Sequence, residues 1–197
     1  MIWSRFKISS RVGTCKKFLR NDSGLAAVEM AVALPIMVSL LLSGVEITRY
    51  ILLNQKLERA STTIADLAAR EETISETVIA DIFEITDEVM RPFEIDLNTT
   101  VILSSIIKTG NDAPEIVWQR SYGSSSTAPS GSRYGTTGET ADLPADFVMR
   151  SGEGIITAEV AHDFEATFLS DLVPNSVLYK NAIYRPRYGA QYTVTDD

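Results

Sequence analysis

Cysteine is almost missing from this chain. The only one, Cys15, lies ahead of a long apolar run, so nothing after that run can form an intramolecular disulfide and the fold there must rest on packing. Histidine is as scarce, with His162 alone. One histidine and no cysteine beyond the run exclude a Cys/His zinc cluster and a Cys/His nucleophile pair, and leave little scope for a Ser-His-Asp triad. His162 falls on the apolar side of an alternating segment, where a hydrogen-bonded core histidine is the expected reading. The serines of 124–126 and 130–132 lack the lysine and following hydroxyl of a phosphate loop. Glu71, Glu72 and Glu76 bracket a helix start, where acids offset the helix dipole without any catalytic role. These absences argue against an enzyme, a cofactor, a metal and a small-molecule substrate.

Charge is the next scarcity. From Leu25 to Val45 (LAAVEMAVALPIMVSLLLSGV) there is a single ionisable group, Glu29. Twenty-one residues at about 1.5 Å each reach roughly 30 Å, the depth of a bilayer's hydrocarbon core. A helix apolar on every face for that length reads as a transmembrane span. It is too long for a cleaved secretory signal, and no A-x-A-like site follows it. Residues 1–24 form a basic leader: Arg5, Lys7, Arg11, Lys16, Lys17 and Arg20 face one acid, Asp22. After Val45 the remaining 12 basic residues meet 24 acids. That asymmetry predicts a cytoplasmic N-terminus and an acidic exported C-terminal domain on a single-pass span, and argues against nucleic acid as a partner.

Beyond the span the apolar positions narrow to a stripe, Leu53, Leu57, Ala60, Ile64 and Leu67, with Gln55, Lys56, Glu58, Arg59 and Asp66 turned away. This helical spacing extends the helix through residues 46–70, with a kink expected at Pro35. Thr73-Ile-Ser-Glu76 reads as a capping box for a second helix with Ile74, Val78, Ile82, Ile85 and Val89 on its apolar face, widened by Ile79, Phe83 and Met90, and ended by Pro92. Asn98–Lys108 and Glu115–Ser121 read as a hairpin around the turn at 109–114. Tyr122–Pro144, rich in Gly, Ser, Thr and Pro, reads as a flexible surface loop with little to bury. Ile155–Phe164 alternates Ile156, Ala158, Val160, His162 and Phe164 against Thr157, Glu159 and Asp163, a half-buried strand, and Val177–Tyr188 closes the sheet as an edge strand. Residues 71–197 are therefore expected to form one α+β domain with an antiparallel sheet covered by helix.

Glu29 has the most informative context: a basic leader, then Gly24, four small or apolar residues, the acid, and the apolar run. The arrangement resembles the processing site of type IV pilin-like precursors. Further along, Gly24-Leu-Ala-Ala-Val-Glu29, Ala33-Leu-Pro35, Gly44-Val-Glu46-Ile-Thr-Arg49 and Ala60–Arg70 (ASTTIADLAAR) resemble the TadE/TadG-like minor pilins of tight-adherence pili. Glu153–Phe164 and Tyr184-Arg-Pro-Arg-Tyr-Gly189 resemble them more loosely. The chain departs from that pattern at Met30, where the family usually has Tyr or Phe.

The resemblance implies a prepilin peptidase that cuts between Gly24 and Leu25, and a Glu29 carboxylate that meets the new N-terminal amine of a neighbouring subunit. It implies as partners the inner membrane, other Tad pilins and the pilus-assembly platform proteins. It also implies the small TadE-like type, since the Asp-x-Ser-x-Ser metal site of larger TadG-type relatives is absent from the sequence. Glu46 and Arg49 stand three apart near the outer membrane boundary, either as an exposed pair of small energetic effect or as a register contact to an adjacent pilin helix. The alternative to a pilin is a signal-anchored periplasmic interaction or sensor domain that never enters a filament.

Overall fold

An apolar stripe that outlasts a membrane span needs something to pack on, and the chain supplies it from the sheet that follows. The structure, a computed structural model, describes residues 24–93, 95, 98–123, 131–168, 175–191 and 193–195. The leader with Cys15, and part of the loop expected after Tyr122, lie outside the described residues. Helix α1 runs from Leu25 to Arg70, unbroken through Pro35. It is followed by strand β1 (Ile74–Ser75), helix α2 (Glu76–Met90) and strands β2 (Thr99–Ile107), β3 (Glu115–Gly123), β4 (Gly154–Phe164), β5 (Ser176–Tyr184) and β6 (Val194–Thr195). The fold is α+β, as expected. The chain divides into two compact units, residues 1–44 and 45–197, and the second holds the sheet.

In that unit β2 to β5 form an antiparallel sheet in the order β3-β2-β4-β5. The β2–β3 hairpin is the one expected, with β3 extended to Gly123. Gly123 has φ +78°, and a Cβ there would stand 2.3 Å from the carbonyl oxygen of Thr99. Only glycine fits at that strand end. The last part of α1 lays Leu53, Leu57, Ala60, Ile64, Ala65 and Ala68 on one sheet face, together with Ile79, Ile82, Phe83 and Met90 of α2. They meet Val101 and Leu103 of β2, Trp118 of β3, Ile156, Ala158 and Val160 of β4, and Leu178 and Ala182 of β5. Full burial of side chains of this size contributes about 1.5–3 kcal/mol each.

Four expectations need correction. Helix α2 is capped by Ser75, whose Oγ accepts from the Val78 N–H at 3.3 Å, and not by Thr73. The shift by two residues follows from the pairing of Ile74–Ser75 with Val194–Thr195 as a short parallel ladder. The apolar face of α2 is centred on Ile79, Ile82, Phe83, Thr86 and Met90, while Ile85 is exposed. Strand β4 is buried along both faces, not half-buried. Its second face is covered by the stretch read as having little to bury: Tyr134 and Ala141, with Met149, pack on Ile106, Ile116 and Ile155 as a second core.

The chain after β5 closes the free end of α1. Arg187 donates its N–H to the Ala69 carbonyl at 3.0 Å. Gln191 donates from Nε2 to the carbonyls of Ala68 (3.1 Å) and Glu71 (2.8 Å). Its own carbonyl accepts from Ser105 Oγ (2.9 Å) and Trp118 Nε1 (3.0 Å). The last turn of a helix has carbonyls without intrahelical partners, and this tail satisfies several of them.

Candidate functional site

The residues singled out for assembly all lie on α1 or at its start. Gly24 directly precedes the helix, and a Cβ built there meets nothing within 4 Å. Leu25 is the first helical residue and is 60% exposed. Glu29 lies one turn further on and is exposed. From Leu25 to Leu41 every side chain is exposed, including Val28, Met30, Val32, Leu34, Ile36, Met37, Val38 and Leu40. A helix this long and apolar can cross a membrane, which suits single-pass anchoring.

Glu46 and Arg49 come together in the second unit, but not as an exposed pair. Glu46 is only 3% exposed. Its Oε1 accepts from Arg49 Nη1 at 3.2 Å, and both carboxylate oxygens accept the Thr167 N–H at 3.1 Å. Oε2 also accepts the Phe168 N–H at 3.1 Å, and Arg49 reaches the Thr167 hydroxyl. A buried carboxylate is tolerable only when its lone pairs are filled, and here one guanidinium and two backbone N–H groups fill them. One turn away the Tyr50 ring meets Phe164 edge-on, with centroids 5.3 Å apart. Glu46 thus ties the chain leaving β4 to α1. No sequence signal marks this, because the partners are backbone groups more than a hundred residues away.

His162 faces the same side of the sheet. Its Nδ1 stands 2.7 Å from Thr99 Oγ1, and its ring lies edge-on to Phe93. Burial pushes its pKa below the usual histidine range, and the nearby Asp163 charge opposes that. A cavity of about 420 Å³ opens beside it, lined in part by Arg49, Leu53, Asn98, Asp163 and Thr167. Among the described residues no group of three His, Cys, Asp or Glu could hold a metal ion.

A second buried acid, Glu159, was not singled out from the sequence. It sits in β4 at 2% exposure, on the face away from the helices. It accepts from the Arg133 N–H (2.8 Å), the Tyr179 hydroxyl (2.6 Å) and the Ser132 hydroxyl. The Arg133 guanidinium lies over the Tyr179 ring, 3.7 Å from its centroid. Burial and the Glu159 carboxylate both push the Tyr179 pKa far up, which holds its proton on the donor. The alternation of β4 gave the only available signal: an acid inside a strand too apolar to face water. Glu76, by contrast, is spent on Arg120, whose hydrogen bonds hold the carboxyl below its usual range.

The fold and the helix define a class: an α+β domain carried on one apolar helix long enough to anchor it in a membrane. Residues 24–66 match the family model described as TadE-like protein. The match begins at Gly24 and ends within α1, so it covers Glu29, Glu46 and Arg49 but none of the strands. The likeness to TadE-like proteins is therefore confined to this helical segment. The looser likeness at Glu153–Phe164 and Tyr184–Gly189 lies outside the match. No curated protein and no solved structure matches the chain.

Proposed function

We propose that the protein is a minor pilin or pseudopilin-like subunit acting in the assembly of a bacterial tight-adherence pilus. The single observation that carries this reading is the TadE-like match over 24–66, which opens on Gly24 and includes the acid and the apolar run. In this reading residues 1–24 stay in the cytoplasm, 25–45 cross the inner membrane, and 46–70 continue the helix into a periplasmic domain, 71–197. Prepilin peptidase cuts after Gly24, where a backbone without a side chain enters the peptidase cleft most easily. The new amine of Leu25 and the Glu29 carboxylate of a neighbouring pilin then neutralise each other in an apolar surround. Each charge alone would be costly there, and the pair is tolerable. The protein works by helix packing and subunit contact with other Tad pilins and platform proteins, without catalysis, cofactor or metal.

Gly24 and Glu29 act at different steps. Replacing Gly24 with a bulky residue has room in the fold, so failure to mature reports on the peptidase and not on misfolding. Gly24→Trp should leave a full-length precursor on an immunoblot. Glu29→Gln should be cut normally but lose capture by partner pilins in membrane crosslinking. An unpaired buried charge costs about 3–5 kcal/mol, enough to reduce incorporation by orders of magnitude. Normal maturation of the Gly24 variant would remove the main support for a pilin. Normal cutting and capture of Glu29→Gln would make Glu29 a bystander at the headgroup level.

A further inference from the structure

Three facts meet just past the apolar run. Glu46 is the first residue after Val45, so along the helix its carboxylate lies within a few ångströms of the end of the run. That carboxylate fixes the backbone of Thr167 and Phe168 beside it. Phe168 is nevertheless 51% exposed, and the helix at this level also exposes Ile47, Tyr50 and Ile51. Arg49 stands among them, its side chain 37% exposed.

We propose that Phe168, with Ile47, Tyr50 and Ile51, is a membrane-interface foot seated in the headgroup layer, and that Glu46 holds it there. The occupant is a lipid bilayer because this surface continues an apolar run long enough to span one. The composition also fits: aromatic rings beside an arginine whose stem can lie on apolar surface while its charge stays wet are the residues that suit a bilayer boundary. Two contacts, one on α1 and one on the chain leaving β4, fix both the depth and the rotation of the domain. A helix alone would fix only the depth. The inference rests on 25–45 being the span, not on the pilin role.

The test uses the full chain in vesicles of phosphatidylethanolamine and phosphatidylglycerol. On a Cys15→Ser background, nitroxide labels are placed singly at Val38→Cys, Val148→Cys and Phe168→Cys. Positions 148 and 168 are both exposed, so neither label disturbs the core. Collision with oxygen, which concentrates in lipid, is compared with collision with a water-soluble nickel chelate. The label at 168 is expected to gain oxygen collisions and lose nickel collisions several-fold relative to 148, as the label at 38 does. A label at 168 as open to nickel as 148 overturns the inference while 38 remains immersed, which leaves the span intact. Open access at 38 overturns the span and the inference with it. Loss of both kinds of collision at 168 means a protein neighbour covers it, which also overturns it. With Glu46→Ala added, which removes the acceptor of the Thr167 and Phe168 N–H groups, nickel access at 168 is expected to rise toward that at 148. Unchanged access overturns the role given to Glu46.

Discussion

A carboxylate on a helix is usually kept wet, and Glu46 is not. It is 3% exposed and satisfies Thr167, Phe168 and Arg49. Glu46→Ala leaves two backbone N–H groups without their acceptor, each costing about 1–3 kcal/mol where burial is complete. Thr167 and Phe168 are themselves exposed, so water replaces part of the lost acceptor, and urea unfolding of the detergent-solubilised chain should show a total loss of about 1–3 kcal/mol, with Glu46→Gln losing less because its amide oxygen still accepts. The i,i+3 spacing to Arg49 was legible in the sequence, but its long-range partners were not, since any residue can offer a backbone N–H. His162 was legible as a core residue from its place in the β4 alternation. Its depressed pKa makes a pH prediction. The unfolded chain takes up a proton at about pH 6.5 and the folded one only below that. The stability it lends is therefore complete above about pH 6.5 and is lost as pH falls toward the folded value. His162→Gln should flatten the urea midpoint between pH 7.5 and 5.5, and a curve parallel to the parent's would rule the histidine out.

Periodic patterns located α1, α2 and β4, and β-branched composition with a turn located the β2–β3 hairpin, while the two-residue β1 and β6 carry no pattern and were not legible. The stripe from Leu53 to Ile64 specified the buried side of α1 because packing on a sheet demands helical spacing. Leu57, fully buried, is the sharpest probe of that contact. Leu57→Ala should lower stability by about 2–5 kcal/mol in chemical denaturation, whereas the exposed Glu58→Ala should change it by under about 0.5 kcal/mol. Equal effects would mean the stripe is not the packing face. The alternation of β4 sorted its residues correctly between two faces, but alternation cannot tell water from a covering loop. What covers the second face is a Gly- and Ser-rich stretch whose Tyr134 and Ala141, with Met149 just beyond it, sit in the second core. Low average hydrophobicity hid them. Ser75 holds the cap in place of Thr73 in a chain whose Ile74–Ser75 pairs with the distant Val194–Thr195, a partner no local pattern marks.

At the scale of the whole molecule, the chain joins an exposed apolar helix to an acidic α+β unit with its own core. The charge asymmetry and the uninterrupted apolar run made the anchor readable from sequence, and the TadE-like match covers that same helix. The domain's partners were less readable, because a surface for neighbours has no required periodicity. Central to the proposed function is the removal of the leader at Gly24 to leave a membrane-held subunit. The most direct measurement is the N-terminal sequence and intact mass of the protein extracted from the membranes of its native cells. The account predicts a chain beginning at Leu25, lacking every basic residue from Arg5 to Arg20. A membrane-extracted chain that still carries the leader at full occupancy would contradict it.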